Sequence, residues 1–390
     1  MQTATEKDIL QEIMTCIQCG SCSSSCPGTE GLEMTRRQLW RMLQMGDIDG
    51  VLSSKLFWEC TTCSMCEIRC PRGIPLNEII GRLRELYNER IGPLDSMQQI
   101  TKMLDESKSI TGDAPQNRLL WTENIMGITP EQQDKLINAK AETVYYTGCV
   151  GSLFPQAYKI PQSMVKILLS LNTDFALLGA DEWCCGYPKL AGGCPESSIK
   201  SFAEHNLKAV KDKGAKTVIV SCPTCYQIWT KEYTKLLGDK MDIKVMHYAE
   251  YLPEMIKTSN MDFKKDEVIV TYHDPCDLGR KSGVVDAPRE LIDALPGVKL
   301  VEMRFVGKDS KCCGGGGNLE MIDPDLSLDI AQKRVAEALE TNAQYLLTTC
   351  QQCKRTLQNA VRKSRARIKV YDLLEFIAER ISTPSGGEIK

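Results

Sequence analysis

The chain has 390 residues, 48 basic against 51 acidic side chains, and 19 cysteines. At roughly 150 residues per domain, that length predicts two or three domains, and 42% hydrophobic residues can bury real cores, which excludes a wholly disordered chain. The near-balanced charge gives no reason to expect nucleic acid as a partner. Cores of this size need no disulfide staples. Residues 1–14 carry no apolar run of signal type, and no run reaches the ~18 residues of a membrane-crossing helix. The expectation is a cytoplasmic chain, membrane-associated only through a partner protein, that uses its cysteines as metal thiolates.

In chain order, residues 1–94 read as mainly helical. Ile9, Leu10, Ile13 and Met14 form a short stripe after Thr5, read as its N-cap. Ile79, Ile80, Leu83, Leu86 and Tyr87 form another, stopped at Gly92-Pro93. Residues 95–141 read as a helical linker. From 142 onward, short β-rich runs end just before cysteines. Val144-Tyr145-Tyr146 precedes Cys149, Thr217 to Val220 precedes Cys222, Val268 to Tyr272 precedes Cys276, and Tyr345-Leu346-Leu347 precedes Cys350. Helical stripes lie between them, with Met164, Val165, Leu168 and Leu169 in one and Leu328, Ala331, Val335, Ala338 and Leu339 in another. Alternating strands and helices predict parallel α/β units over 142–260 and 261–382, with ligands beyond the carboxyl ends of the strands. A polar tail, 383–390, is expected to fray.

The cysteines sort into three groups. Cys16-x-x-Cys19-x-x-Cys22-x-x-x-Cys26-Pro27 is matched by Cys60-x-x-Cys63-x-x-Cys66-x-x-x-Cys70-Pro71. This is the bacterial two-cluster ferredoxin run, in which the fourth cysteine serves the other cluster. It assigns Cys16, Cys19, Cys22 and Cys70 to one cubane [4Fe–4S] cluster and Cys60, Cys63, Cys66 and Cys26 to a second. The 33 residues between Cys26 and Cys60 exceed a compact ferredoxin's spacing and resemble an α-helical ferredoxin.

Cys149, Cys184, Cys185, Cys222 and Cys225 form the second group, and Cys276, Cys312, Cys313, Cys350 and Cys353 the third. Corresponding cysteines are 127 or 128 residues apart, so one domain occurs twice. Five thiolates with an adjacent pair suit a multi-iron cluster better than one tetrahedral zinc ion. Cys194 has no counterpart and reads as a buried or tolerated thiol.

Cys184-Cys185-Gly186, Cys312-Cys313-Gly314, the C-x-x-C pairs and His273-Asp274-Pro275-Cys276 resemble the CCG domain. Two such domains behind a two-cluster ferredoxin resemble heterodisulfide reductase of the D type over about residues 10 to 375. The fold that this implies is an α-helical ferredoxin-like N-terminal domain followed by two tandem CCG-type α/β repeats with parallel sheets. The resemblance implies a non-cubane [4Fe–4S] cluster on each five-cysteine set, the ten cysteines forming a catalytic pair of centres that reduce or form a disulfide across a shared cleft. Partners would be other redox subunits, of flavoprotein, hydrogenase or dehydrogenase, or membrane cytochrome type. The alternative is a non-catalytic electron-transfer subunit of a larger complex, such as a flavin dehydrogenase, a quinone-linked membrane complex or an acyl-CoA reductase.

Further residues attract attention. Gly314 to Gly317 read as backbone approaching cluster sulfides. The sequence has no G-x-G-x-x-G and no phosphate loop, so no flavin or nicotinamide is expected. His273 reads as ordering its turn, with proton donation to a leaving thiolate as the other reading. Lys189, Arg280 and Lys281 lie near cluster cysteines in sequence and either draw in an anionic substrate or are simply solvated.

Overall fold

Runs such as Thr143–Tyr146, too short and too β-branched to be helices, form the centre of each α/β unit. The computed structural model describes residues 4–123, 125, 128–259 and 261–382. The tail from Thr383 lies outside the described residues. Strands β1 (Thr143–Tyr146), β2 (Phe175–Leu177), β3 (Thr217–Val220) and β4 (Lys244–His247) form a parallel sheet in the order β2-β1-β3-β4. Strands β5 (Val268–His273), β6 (Val298–Leu300), β7 (Tyr345–Thr348) and β8 (Lys369–Asp372) form a second parallel sheet, ordered β6-β5-β7-β8.

The register aligns the strand ends. Tyr146 pairs with Val220 and Val220 with His247, while His273 pairs with Thr348 and Thr348 with Asp372. Cys149 and Cys222, and likewise Cys276 and Cys350, therefore leave their sheets from one edge, the carboxyl edge where α/β proteins bind ligands. The two central strands of each sheet are those the sequence marks. The edge strands β2, β4, β6 and β8 are three or four residues long and carry no comparable signal.

Helices cover the sheets as their stripes require. Met164, Val165 and Leu168 are fully buried on helix Lys159–Ser170. On helix Pro324–Leu339, Ile330, Ala331, Val335 and Ala338 are buried, but Leu339 is 39% exposed. Leu339 follows Ala338 by about 100° of helical turn and so leaves the buried face.

The N-terminal region is helical, with no strand among its described residues. Its first helix spans Ala4–Ile13, so Thr5 lies inside the helix and is not its cap. Helix Arg36–Gln44 does begin with a capping box, from Thr35 and Gln38. Helix Leu76–Arg90 buries Ile79, Ile80, Leu83 and Leu86, and the chain turns at Gly92 with φ +105°. The same buried face carries Arg84, 1% exposed. Its guanidinium donates to the carbonyls of Phe57, Trp58, Cys60, Ala191 and Gly317. One side chain thus ties the N-terminal region to both α/β units.

Residues 95–138 are not one helix. Helix Asp95–Ser107 ends at Lys108 with φ +60°, and a 3₁₀ turn over Pro115–Thr122 and helix Pro130–Asn138 follow. This segment packs on the first unit, where Cys184 N donates to Lys108 O. No helix of the described residues is long and apolar enough to cross a membrane.

Candidate metal centres and the cleft between them

In the first unit, all five repeated cysteines are buried. Cys149 follows β1, Cys222 follows β3, and the adjacent pair sits in the loop after β2. Arg118, buried, places Nη2 3.0 Å from Cys149 Sγ and Nη1 3.0 Å from Glu182 Oε1. Glu182 also accepts from the backbone N–H groups of Thr147 and Gly148 at 2.7 and 2.9 Å. Gly186 N–H points at Cys184 Sγ, 3.4 Å away, from a φ of +91° that favours glycine.

The second unit repeats this plan. Cys312, Cys313, Cys350 and Cys353 are buried and Cys276 is half-buried. Gly314, at φ +82°, directs its N–H to Cys312 Sγ at 3.3 Å. In both units the second cysteine of the adjacent pair is held low. Hydrogen bonds from Cys184 and Cys225 bring Cys185 down to about 6, and Cys312 and Cys353 likewise hold Cys313 below the usual thiol range. The same bonds push Cys225 and Cys353 up. Among the described residues, Cys313, Cys353 and His273 alone bring metal-ligating atoms within 4.8 Å of one another. One tetrahedral ion would draw four ligands together, whereas a spread set of five buried thiols fits a larger, multi-iron group.

The units interlock at their C-x-x-C loops. Gln351 Nε2 donates to Thr147 O and Ser221 Oγ, and Gly151 N–H donates to Gln351 Oε1. In return, Thr224 Oγ1 donates to Asp277 Oδ2 at 2.6 Å, next to Cys276.

In the N-terminal region, Cys26, Cys60, Cys63 and Cys66 line one small cavity together with Arg36. One of the two crossed sets read from the spacing thus shares a single cavity. Burial and the neighbouring thiols push Cys66 well up. Helix Ser21–Ser25, holding Cys22, packs on helix Met65–Ile68, which ends just before Cys70. Cys19 is the one exposed cysteine of the eighteen in the motifs.

The N-terminal region also reaches the cysteines of the second unit. The Cys63 thiol is a hydrogen-bonding neighbour of Cys312, which with Arg280 brings Cys63 down to about 5. Arg280 Nη1 donates to Cys63 O at 2.6 Å. Gly316 and Gly317 lie against Thr61 and Cys60, where an added Cβ would fall 2.4 and 2.1 Å from their carbonyl oxygens. The glycine run thus has two uses. Gly314 presents its N–H to the Cys312 thiol, while Gly316 and Gly317 let two backbones meet.

A cleft of about 900 Å³ opens where the three parts join. Tyr187 beside Cys185-Gly186, Thr224 between Cys222 and Cys225, and Asp277 and Lys281 beside Cys276 all line it. Tyr187 OH accepts from Gly317 N–H and pairs with Thr62 Oγ1, both at 3.0 Å. Lys281 is ion-paired to Asp277 at 2.7 Å. Cys194 lines the cleft's far wall. Lys189 does not line it. It is buried and paired with Asp105. Arg280 lines the cleft but spends its hydrogen bonds on the carbonyls of Cys63, Lys308 and Ser310. His273, 1% exposed, does not line it and lies by Cys313 and Cys353.

Sequence reasoning missed Arg84, Arg118, Arg334, Gln351 and Tyr187. Arg84 had a signal, since it falls four residues after Ile80 and three before Tyr87 on an apolar stripe. Arg118 sits in a segment without periodicity and gave none.

Comparison with known proteins agrees with this architecture. Residues 143–228 and 270–358 match the cysteine-rich CCG domain family, and residues 15–75 match a 4Fe-4S dicluster domain. The D-type component of dihydromethanophenazine:CoB–CoM heterodisulfide reductase from Methanosarcina acetivorans is 33% identical, over 95% of this chain and 95% of its own. The B-type component of fumarate reductase (CoM/CoB) from Methanothermobacter marburgensis is 27% identical over 94% of this chain and 72% of its own. Among solved structures, a hypothetical protein from Helicobacter pylori shares the fold over 99% of this chain and 74% of its own, with TM-score 0.60 and 10% identity. With its dicluster region, its two cysteine-rich repeats and this end-to-end likeness, the chain belongs to the D-type heterodisulfide reductase family of iron–sulfur oxidoreductases.

Proposed function

We propose that the chain reduces a disulfide, or forms one in reverse, in the cleft between its two five-cysteine centres. The observation that carries this reading is the placement of the cleft. Its walls include Tyr187, Thr224 and Asp277, each within two residues of Cys185, of Cys222 and Cys225, or of Cys276. Cys149, Cys184, Cys185, Cys222 and Cys225 would hold one [4Fe–4S] cluster of non-cubane type and Cys276, Cys312, Cys313, Cys350 and Cys353 another. Cys16, Cys19, Cys22 and Cys70, and Cys26, Cys60, Cys63 and Cys66, would hold two cubanes. These groups supply one-electron steps; two such steps with two protons turn one disulfide into two thiols.

The chain's own residues do the rest. Exposed Cys19 marks the side where electrons arrive from an external redox partner. The Cys63–Cys312 contact is the short link from the ferredoxin region to the second unit. Lys281, kept charged by Asp277, presents a cation to a departing thiolate. Tyr187 is fixed by Thr62 and Gly317, which orients its phenol at the same wall.

The test uses full-length, anaerobically purified protein with reduced viologen as donor. Turnover of a mixed disulfide, lost in Cys222→Ser and in Cys350→Ser, supports this reading. Reversible cluster reduction without disulfide turnover would favour an electron-transfer protein with its catalysis on a partner. That second reading takes support from the likeness to EtfAB:quinone oxidoreductase of Syntrophomonas wolfei, 24% identical over 95% of this chain and 58% of its own.

A further inference from the structure

We infer that His273 donates its Nε2–H to sulfur of the second five-cysteine centre and sets that centre's potential, without being one of its ligands. This rests on the cluster assignment proposed above.

The argument begins with Arg334. Its Nε lies 3.1 Å from His273 Nδ1. A guanidinium only donates, so Nδ1 must accept, and in the neutral ring the proton then sits on Nε2. Arg334 cannot easily turn away. Its other nitrogens are held by Glu337 Oε2 at 2.7 Å and Ser310 Oγ at 3.0 Å, and its side chain is fully buried. Glu337 is in turn fixed by Phe305 N–H at 2.8 Å. The tautomer is therefore dictated by a rigid, buried frame.

Nε2 itself is buried and, among the described residues, has no hydrogen-bond partner. An orphaned buried donor of this kind is costly unless something accepts from it. The ring lies against Cys313 and Cys353. The acceptor that the site lacks is a cluster sulfur, thiolate or inorganic sulfide. Ligation through Nε2 would need the proton on Nδ1, where it would oppose the Arg334 N–H. The frame thus selects a donor and disfavours a ligand.

The first unit is built otherwise. Tyr146 occupies the position equivalent to His273, and its OH donates to a backbone carbonyl, Trp183 O, at 2.6 Å. There the charged donor Arg118 acts directly on Cys149. Hydrogen bonds to cluster sulfur raise the potential by stabilising the more negative, reduced form. Removing His273 must therefore lower the second centre's potential and leave the first unchanged.

The experiment is an EPR-monitored redox titration of the full, cluster-loaded chain. The second centre's signal is defined as the one lost in Cys350→Ser. For His273→Leu we expect its reduction equilibrium to weaken about tenfold, a downward shift of about 59 mV for one electron, with the iron content unchanged. His273→Gln, which keeps an amide donor, recovers part of the shift. In the parent protein, the signal should show an exchangeable proton in D₂O comparison and no directly bonded nitrogen. This readout decides the matter if a variant fails to load. An unchanged potential in His273→Leu, or a directly bonded nitrogen in the parent, overturns the inference alone. Absence of any signal specific to Cys350 overturns it together with the cluster assignment beneath it.

Discussion

The two α/β units share strand order, cysteine spacing and glycine placement, yet what covers each of them differs. The first unit's cysteines are roofed by residues 95–122, with Arg118 and Glu182 as a buried ion pair against Cys149. The second unit's are roofed by the ferredoxin region, with Cys63 beside Cys312 and with Gly28 and Gly31 packed on Ile330 and Leu326. Lys333 adds a salt bridge to Glu30 at 2.7 Å. Duplication thus supplied two equal cradles, and the flanking segments made them unequal. The second unit sets Cys312 beside Cys63 of the ferredoxin motif, whereas the first meets that region through Tyr187 on Thr62 and Ala191 on Arg84.

The largest effect should come from removing what both units share. Arg84→Met leaves five carbonyls without their charged donor at the junction of all three parts. The expected loss is about 3–5 kcal/mol, the scale for breaking a buried charged network. It should appear as a large fall in melting temperature together with exposure of the 60–70 segment to proteolysis. Arg118→Leu should be nearly as costly to stability, because it strands buried Glu182. Its effect on iron retention should be confined to the first unit, which breaks the symmetry in one direction.

A pH comparison sharpens the contrast further. His247 and Asp372 occupy matching places, each capping the helix after its last strand in a capping box. Burial lowers His247 to about 3 and raises Asp372 to about 7. For His247 the folded value lies below the unfolded one near 6.5, so stability is full above that and is lost as pH falls toward 3. For Asp372 the folded value lies above the unfolded one near 3.8, so its contribution is lost as pH rises toward 7. His247→Gln should therefore soften the acid side of a melting-temperature profile. Asp372→Asn should raise the melting temperature at about pH 8 and change it little at about pH 4. Equal profiles for the two variants would contradict these assignments.

The smallest effect is expected at the cleft. Tyr187→Phe loses its bonds to Thr62 and Gly317, at a cost of about 1 kcal/mol in stability. A larger change in disulfide turnover than in stability would place the phenol in contact with substrate.

Much of this arrangement was legible in the sequence. The central strands announced themselves because they are β-branched and end at cysteines, and the 127- and 128-residue offsets exposed the duplication. Edge strands of three or four residues hold their place through pairing, not through composition. The buried arginines are hard to read for a different reason. Arg118 and Arg334 look like surface charge until the fold supplies the thiol and carboxylates that accept from them, whereas Arg84 sits on a visible apolar stripe. Leu339 lies one residue beyond the buried stripe, and the neighbours that explain Gly316 and Gly317, Thr61 and Cys60, are about 250 residues away in sequence.

The central claim is that both cradles and both ferredoxin motifs carry tetra-iron groups, and iron per chain in anaerobically purified full-length protein tests it most directly. Four such groups predict about 16 iron atoms. A value of about 8, two groups' worth, would contradict the account.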